Sequence, residues 1–511
     1  MPLLRSVAQL VLCIVEPMNP SQSASDQRAV RATKRERLIE LGEAYPVSLK
    51  PTTTIKAVKQ AFPTLEADET TGEHVSIAGR AVMLRNGGKL CFAVLQAGDG
   101  ERIQLMVSFN SLGQDSLKLW KELVDLGDHV FVTGEVVASR TGELSIMVSD
   151  WRVASKALRP MPSVHTELNE ENRARRRYLD LVVRDEAREM VYSRAKVLAS
   201  LRNTLTDAGL LEIETPMLQT VQGGASARPF VTHSNAMDTE LFLRIAPELF
   251  LKRAVVGGID QVFEINRNFR NEGADATHSP EFAMLEAYRA YADYNDMAEL
   301  TKTAIQNSVQ AVFGSLVATW ADGTQYDFSG EWRSISVYES LSEALGIDIT
   351  PASSTVELSA IASEHHVKVS VPTHGKYVEE LWEHFVKPTL SGPTFVRDFP
   401  VDTSPLVAAH RSIDGVVEKW DLYVAGFELA TGYSELVDPI VQRERLVAQA
   451  KLAGRGDDEA MPLDEDFLEA LEYGMPPTGG IGMGIDRLLM ALTGLGVRET
   501  ILFPLVKNET R

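Results

Sequence analysis

Polar and charged side chains recur at regular spacing on both sides of a loop in residues 261–291. Ahead of the loop, one face of a period-two pattern carries Glu264, Asn266, Asn268 and Arg270. Behind the loop, one face carries Phe282, Met284, Glu286 and Tyr288. The pattern predicts an antiparallel pair of strands joined by a long polar loop. Because buried charges are costly without partners, we interpret this face as a ligand site; the alternative is an exposed sheet face.

Two carboxylates, Asp421 and Glu428, flank a second turn. A hairpin turn at residues 425–426 would pair Tyr423 with Glu428. In the same register Asp421 lies opposite Ala430, so the two carboxylates become diagonal neighbours on one face. Carboxylates held this close repel each other unless a cation lies between them, and Mg²⁺ takes oxygen ligands together with phosphates. The hairpin therefore predicts a magnesium site, and a pair of solvated turn carboxylates is the alternative.

A glycine-rich strand runs into an apolar helix in residues 479–495, with Asp486 and Arg487 at the junction. Glycines let a backbone approach a flat ligand, and an arginine there can reach a phosphate or stack on a base. The segment is not a Walker loop, because no Gly-Lys-Ser/Thr follows. It also lacks the glycine order and the following acidic residue of a dinucleotide-binding fingerprint.

Short apolar runs broken by glycines between residues 73 and 155 predict a scaffold ahead of these motifs. Strands at this spacing, with a helix at 116–126 between the third and the fourth, indicate a small closed barrel of five strands. Barrels of this kind often bind nucleic acid on one face.

A basic segment at residues 28–46 precedes the barrel. Its positive side chains are Arg28, Arg31, Lys34, Arg35 and Arg37. An apolar stripe of Leu38, Ile39 and Leu41 indicates an amphipathic helix that ends near Gly42. The helix is either a nucleic-acid-binding face or a solvated charged face, and the sequence leaves both open.

The chain has 511 residues and a formal net charge of −20. This length predicts two or more domains. The net charge argues against nucleic-acid binding by the surface as a whole, so any such contact needs a local basic patch. The two cysteines, Cys13 and Cys91, make neither a disulfide framework nor a zinc cluster and fit a reducing cytoplasm.

The N-terminal residues are predicted to lie outside the fold. The apolar stretch at residues 7–15 is too short to span a bilayer, and no small-residue cleavage site follows it. We interpret Met18 as the true start, so that deleting residues 1–17 is expected to leave activity unchanged. The Ser-rich residues 19–27 are predicted to be disordered.

Taken together, the motifs resemble those of the class II aminoacyl-tRNA synthetases in type and in order. The segment GLLEIETPML at 209–218 resembles motif 1, FRNEGADATHSPEF at 269–282 resembles motif 2, and GIGMGIDRLL at 480–489 resembles motif 3. Four further segments resemble the lysine-specific subgroup: RRRYLDL, GGASARPF, RIAPELFLKR and SELVDP. The resemblance runs from about residue 30 to the C-terminus. It implies an α+β fold, in which a five-stranded OB-type barrel precedes a class II catalytic domain of antiparallel sheet flanked by helices.

The expected organisation is an extension at 1–27, a basic helix with an anticodon-binding barrel at 28–155, a linker at 156–180 and a catalytic domain at 181–511. Residues 313–372 carry no obvious chemistry and are interpreted as a possible insertion.

The resemblance also implies roles for individual residues. Catalysis would depend on Arg270, Glu272 and Arg487. ATP would be bound by Arg270, Glu272, His278, Phe282, Asp421, Glu428 and Arg487, with Mg²⁺ held by Asp421 and Glu428. Lysine would be bound by Gly224, Glu248, Arg270, Glu286, Tyr288, Thr431, Tyr433 and Glu435.

An ε-ammonium is a compact cation with three donors, which acidic side chains and tyrosine hydroxyls suit. We expect Glu286 and Glu435 at the ε-ammonium and Glu248 nearer the α-amino group, with Arg270 balancing part of the charge. Two positions depart from the subgroup. Asp421 stands where lysine enzymes usually have Glu, and Thr431 stands where many relatives have Asn. Both changes concern the geometry of the pocket and leave the reaction class as it is.

The implied reaction forms lysyl-adenylate and pyrophosphate from lysine and ATP, and then transfers the lysyl group to the 3′ end of tRNA(Lys). The expected enzyme is a cytoplasmic homodimer without a membrane part. The alternatives are a ligase that modifies a protein acceptor, a non-catalytic RNA-binding paralogue and a paralogue that serves lipid lysylation. Protein-modifying relatives lack the barrel, decay would remove Arg270 or Arg487, and a fused lipid-lysylating system needs a large transmembrane domain.

Overall fold

The computed structural model describes residues 20–42, 44–162, 168–273, 275, 277–453 and 462–507. The chain divides into two compact units. The first comprises Met1–Asn169 and Tyr178–Arg188, and the second comprises Glu170–Arg177 and Glu189–Arg511. The predictions about residues 1–17 fall outside the described residues.

The first unit contains the helices and strands that precede the catalytic motifs. They are α1 (Pro20–Glu40), α2 (Ile55–Ala61), β1 (Thr70–Arg85), β2 (Leu90–Gln96), β3 (Arg102–Ser108), α3 (Phe109–Leu123), β4 (His129–Ala138) and β5 (Leu144–Ser155). The five strands close into a barrel in the order β1-β2-β3-β5-β4, which confirms the predicted OB-type fold. The pleat of β2 turns Cys91, Ala93 and Leu95 into the barrel, where all three are fully buried. Helix α3 lies between the third and fourth strands, as predicted, and buries Trp120, whose ring lies edge-on to that of Trp151 in β5.

Helix α1 begins at Pro20, so the prediction that residues 19–27 are disordered is wrong from that residue onward. The helix ends at Glu40, and Gly42 follows in a left-handed conformation with φ of 74°, close to the predicted end. Only Leu38 of the predicted apolar stripe is buried. The other two residues of the stripe are nearly half exposed, so the helix rests on the barrel along a narrow line.

Part of the positive charge on α1 fastens the helix to the barrel. The Arg31 guanidinium donates to three backbone carbonyl oxygens at 2.9–3.2 Å, those of Leu126, Ala157 and Arg159. The Lys34 ammonium lies 2.7 Å from Oδ1 of Asp125. Arg28 and Arg37 stay exposed on the helix. The basic segment therefore has two kinds of positive side chain. Arg31 and Lys34 hold the helix against the barrel, and Arg28 and Arg37 face solvent.

Three helices follow the barrel: α4 (Glu170–Arg175), α5 (Arg177–Val183) and α6 (Asp185–Asp207). The predicted linker at 156–180 thus includes α4 and the beginning of α5.

The second unit contains the remaining elements in chain order. They are β6 (Leu211–Glu212), β7 (Leu218–Gln219), β8 (Phe230–Ser234), β9 (Thr239–Leu243), α7 (Glu248–Val256), β10 (Gln261–Phe269), β11 (Glu281–Ala290), α8 (Tyr294–Phe313), β12 (Val317–Thr319), β13 (Gln325–Asp327), β14 (Arg333–Ser336), α9 (Val337–Leu345), α10 (Thr355–Glu364), α11 (His374–Phe385), β15 (Thr394–Pro400), β16 (Val416–Val424), β17 (Phe427–Ser434), α12 (Pro439–Ala453), α13 (Glu465–Glu472), β18 (Thr478–Gly484), α14 (Ile485–Thr493) and α15 (Val497–Thr500).

The large sheet of this unit has eight strands in the order β14-β15-β16-β17-β18-β11-β10-β6. All neighbours are antiparallel except the outer pairs β14–β15 and β10–β6, which are parallel. The catalytic domain therefore has the predicted antiparallel sheet with helices around it.

Alternate residues of the central strands separate a hydrophobic core from a polar face. Leu285, Ile481 and Met483 are buried in a cluster with residues of α6, α8 and α14. Their neighbours along the same strands, such as Glu286 and Gly480, point to the opposite face. Core packing on one side of the sheet thus fixes the strands whose other side carries the candidate site.

The segment at residues 313–372, interpreted as a possible insertion, contributes one strand to the large sheet and forms a separate two-stranded sheet from β12 and β13. Its strand β14 pairs with β15 at the edge of the sheet, with Ser334 opposite Phe395. Helices α9 and α10 from the same segment pack with α11 in one hydrophobic cluster. Across the described part of the chain, no helix is both long enough and apolar enough to cross a bilayer.

Candidate active site

Four neighbouring strands, β11, β18, β17 and β16, present one continuous face. Directly opposed residues of antiparallel strands share a face, and two such rows cross these four strands. The first row contains Tyr288, Gly480, Tyr433 and Lys419. The second row contains Glu286, Gly482, Thr431 and Asp421. The register thus brings all three chemical motifs of the sequence onto one surface.

The strand pair predicted in residues 261–291 is confirmed, since β10 and β11 are antiparallel with Asn268 opposite Phe282. Arg270 follows β10, and its guanidinium carbon lies 5.1 Å from the centre of the Phe282 ring. Burial lowers the pKa of Arg270, while the charges of Glu272 and Glu286 oppose that shift. A planar guanidinium held in such a place is suited to pair with a phosphate or a carboxylate.

A cavity of about 280 Å³ opens between this hairpin and the glycine-rich strand β18. The predicted site residues on its wall are Arg270, Glu272, His278, Phe282, Glu428, Thr431, Tyr433 and Arg487. These include every residue predicted to bind ATP except Asp421. Asp421 lines an adjoining cavity, also of about 280 Å³, which shares Glu428, Thr431 and Tyr433 with the first.

Arg487 closes one end of the first cavity. Its Nη1 donates to the backbone oxygen of Glu428 at 3.1 Å, and its Nη2 lies 3.5 Å from Nε2 of His278. The neighbouring Asp486 is structural, because its Oδ2 accepts a hydrogen bond from the backbone N–H of Ala283 at 2.8 Å. Its other oxygen pairs with Arg194. Helix α14 is thereby fixed against β11, with the arginine free to face the cavity.

The hairpin of β16 and β17 contains a bulge that the sequence did not reveal. Tyr423 lies opposite Glu428, as predicted, but Asp421 lies opposite Thr431. The predicted pairing of Asp421 with Ala430 is wrong, because the register of the two strands shifts by one residue between Leu422 and Tyr423. The extra residue still leaves both carboxylates on one face, where they line the same cavity.

The surroundings of Asp421 fit a bound divalent cation. Burial above all raises its pKa to about 6, with Lys419 opposing the shift and Glu428 adding to it. Lys419 Nζ lies 3.1 Å from Asp421 Oδ2, while Oδ1 has no hydrogen-bond partner in the described part of the chain. Two carboxylates and an unsatisfied oxygen suit Mg²⁺. No group of three or more His, Cys, Asp or Glu side chains that could hold a metal occurs among the described residues, so phosphate and water oxygens would have to complete the shell.

A second group of buried charges lies where α7 meets the end of β17. Glu248 begins α7, and Lys252 follows one helical turn later. Lys252 Nζ lies 2.6 Å from Glu248 Oε1 and 2.5 Å from Glu435 Oε2, and the lysine side chain is completely buried. Burial acts to lower the pKa of Lys252, but the two carboxylates more than offset it and the pKa is raised. Both carboxylates thus favour the charged form of Lys252 in this buried cluster.

Glu286 is a third carboxylate of this buried cluster. The Tyr288 hydroxyl donates to Glu286 Oε2 at 3.2 Å, and both side chains are buried. Burial raises the pKa of Glu286 well above its usual range, and the charge of Glu248 adds to the shift. Gly224 adjoins the pocket with φ of 84°, and a Cβ there would lie 3.0 Å from Cβ of Glu248. Glycine at that position meets both a conformational and a steric requirement.

Two features of the pocket were not predicted. Arg270 was expected to balance part of the charge, whereas Lys252 directly contacts two of the three carboxylates. Glycines of β18 were expected to admit a ligand, whereas Gly480 makes room for the side chains of Glu435 and Tyr288. The i,i+4 spacing of Glu248 and Lys252 was an available signal for the first feature. No sequence signal joins Lys252 to Glu435, because they lie on elements far apart in the chain.

Two family models match the chain. Residues 169–507 match the model described as tRNA synthetases class II (D, K and N). Residues 75–154 match the model described as an OB-fold nucleic acid binding domain.

Curated relatives match nearly the whole chain. A lysine–tRNA ligase of Kineococcus radiotolerans is 61% identical over 96% of this chain and 99% of the relative. The lysine–tRNA ligase 1 of Mycobacterium tuberculosis is 54% identical over 96% of this chain and 100% of the relative. A lysylphosphatidylglycerol biosynthesis bifunctional protein of Nocardia farcinica is 45% identical over 94% of this chain, but over only 43% of its own length.

Proposed function

Since this chain belongs to the class II tRNA synthetases of the aspartate, lysine and asparagine group, we propose that it is a lysine–tRNA ligase. The observation that carries the proposal is a buried cluster of three carboxylates, Glu248, Glu286 and Glu435, beside the cavity that Arg270, Met284 and Tyr433 line. Such a pocket suits an amino acid with a cationic side chain, because buried charges need partners of opposite sign. The side chain of aspartate or asparagine would instead need a cation or an amide partner.

In the first step, the carboxylate of lysine attacks the α-phosphorus of ATP and pyrophosphate leaves. Arg270 would pair with the α-phosphate and with the lysine carboxylate, and would offset the charge that develops between them. Phe282 would stack with adenine, and Arg487 would approach it from the other side of the cavity. Glu272 and His278, on the loop, would contact the adenine and the pyrophosphate end. No covalent enzyme intermediate is required, so positioning and charge neutralisation account for the catalysis.

We assign Mg²⁺ as the metal that accompanies ATP. Asp421 and Glu428 would hold it, and its charge would offset the negative charge of the phosphates. Asp421 keeps one oxygen without a partner in the part of the chain that the structure describes, which leaves that oxygen able to act as a ligand.

For tRNA, we assign the barrel to anticodon recognition. Phe92 points outward from β2, since its neighbours on the strand point into the barrel, and it is half buried. It lies opposite Arg85 of β1 and Met106 of β3. An aromatic ring between a cation and an apolar side chain can stack with an unpaired base. The exposed Arg28 and Arg37 of α1 would add attraction for phosphates.

We further propose a homodimer built on motif 1. Around β6, β7 and β8, large apolar side chains are about half exposed, namely Leu211, Met217, Leu218 and Val231. An exposed apolar patch of this kind is typical of an interface between subunits. Sedimentation of the active enzyme is expected to give a dimer, and a stable active monomer would refute this assignment. The charging of tRNA would place the enzyme in the cytoplasm.

The similarity to a lipid-lysylating bifunctional protein keeps one alternative open, a paralogue that supplies lysyl groups to a lipid pathway. A ligase for a protein acceptor is less consistent with the chain, since it carries the barrel. Lysine-dependent exchange of pyrophosphate into ATP, followed by charging of purified tRNA(Lys), tests the proposal. Exchange without stable charging would favour a different acceptor, and its absence with lysine would refute the proposal.

A further inference from the structure

We infer that Lys252 is a positioning residue that sets the charge of the lysine pocket, so that the pocket accepts an amino acid with one excess positive charge. The inference rests on the proposed function and adds to it a residue that does not itself need to touch the substrate.

The two oxygens of Glu435 have different surroundings. Oε2 forms an ion pair with Lys252, whose Nζ lies 2.5 Å away, whereas Oε1 points toward Gly480. Both oxygens are buried, and neither has a hydrogen bond of good geometry among the residues that the structure describes, so that Oε1 has neither an ion pair nor a hydrogen bond there. An unpartnered oxygen this deeply buried is costly, so it calls for a donor from a ligand. The substrate ε-ammonium, with three N–H donors, matches it.

Charge counting gives the reason for the selectivity. The pocket contains three carboxylates, Glu248, Glu286 and Glu435, and two fixed cations, Lys252 and Arg270. With all three carboxylates ionised, one negative charge is in excess; the substrate's ammonium groups favour this ionised state of Glu286, whereas burial alone favours the protonated one. Lysine brings two ammonium groups and one carboxylate, so that its complex with the pocket is balanced. An amino acid with a neutral side chain brings no net charge and would leave a buried negative charge without a partner, which is costly.

Lys252 also keeps the carboxylates ionised and in place. Without its ammonium, Glu248 and Glu435 would face each other in a buried site, and one of them would take up a proton. The proton would remove the charge that the substrate ε-ammonium needs. A cation resident in the pocket thus makes Glu435 available to the substrate near neutral pH.

The test is lysine-dependent ATP–pyrophosphate exchange by the full chain with Lys252→Met, measured from pH 7 to pH 9. We expect the KM for lysine to rise about tenfold or more at pH 7, with the KM for ATP within about twofold of the wild type. The loss should shrink toward pH 9, because Glu435 regains its charge. Lys302→Met serves as the control, since it removes an ammonium from an ion pair on α8 with Glu331, outside the pocket.

A second comparison uses Glu248→Gln alone and Lys252→Met with Glu248→Gln, which together remove both members of one ion pair. Glu248→Gln loses its own contact with the substrate, but the further change Lys252→Met is expected to raise the KM for lysine by a smaller factor there than in the wild type, because Glu435 no longer faces a second carboxylate. This comparison also serves if Lys252→Met alone does not fold. The inference is overturned if Lys252→Met has the wild-type KM for lysine, or if it raises that KM by the same factor at every pH from 7 to 9. It is also overturned if the two changes multiply. Absence of lysine-dependent exchange in the wild type would instead overturn the proposed function.

Discussion

Gly480 leaves the space that Oε1 of Glu435 occupies, because a Cβ at position 480 would collide with that oxygen and lie 2.9 Å from Cε1 of Tyr288. Glu435 cannot easily move aside, since its other oxygen is held by Lys252. Position 480 of β18 must therefore be glycine, because any larger residue would take the space of the Glu435 and Tyr288 side chains.

Gly480→Ala is therefore expected to displace Glu435 and to raise the KM for lysine about tenfold or more, with little change in the KM for ATP. Exchange kinetics with each substrate varied in turn measure both constants. Gly392→Ala is a suitable control, because a Cβ there meets nothing within 4 Å and the position lies outside the site. An unchanged KM for lysine in Gly480→Ala would show that Glu435 does not contact the substrate.

The use of lysine should depend on pH near neutrality. Burial raises the pKa of Glu435 to about 7, although the Lys252 ammonium opposes the shift. Above this pH the carboxylate is charged, and below it the carboxylate takes up a proton and loses the charge that faces the ε-ammonium. The value of kcat/KM for lysine should fall about tenfold per pH unit below the pKa. Glu435→Gln should remove this dependence, and a flat wild-type profile between pH 8 and pH 6 would contradict the assignment.

Asp421→Asn should raise the Mg²⁺ concentration that half-saturates exchange by roughly tenfold, since an anionic ligand is lost. A magnesium titration at fixed ATP measures the effect. Asp414→Asn, an exposed carboxylate that lines neither cavity, is the matched control. If the titration of Asp421→Asn coincides with that of the wild type, Asp421 is not a ligand.

Phe92→Ala should weaken the charging of tRNA and spare the exchange reaction, because every residue that the structure shows on the walls of the two cavities belongs to the second unit. Loss of one stacked base corresponds to about 1–3 kcal/mol, or roughly fivefold to 150-fold in kcat/KM for tRNA. Tyr473→Ala, an exposed aromatic residue of the other unit, provides the comparison. Equal charging by Phe92→Ala and the wild type would remove the stacking role.

The fold and the location of the site could be predicted from sequence because they follow local patterns. The alternation of polar and apolar residues around Arg270 predicted the β10–β11 hairpin, and the short apolar runs broken by glycines predicted the barrel. The exact pairing of Asp421 could not be predicted, since a bulge adds one residue to a strand without a sequence signature of its own.

Contacts between distant segments account for most of the remaining differences. The basic pattern at residues 28–37 does not distinguish Arg31, which binds barrel carbonyls, from Arg28, which is exposed. Lys419 and Lys252 act as internal cations only because the fold places Asp421 and Glu435 beside them. Such partners are decided by the tertiary structure.

ATP–pyrophosphate exchange with lysine, aspartate and asparagine in parallel measures whether the three buried carboxylates select lysine. The wild type is expected to support exchange with lysine in clear preference to the other two amino acids. Glu435→Gln should weaken the use of lysine by roughly 30-fold or more, with almost no change in the ATP requirement, because a desolvated charge pair is broken. Preference for aspartate or asparagine, or full use of lysine by Glu435→Gln, would contradict the claim.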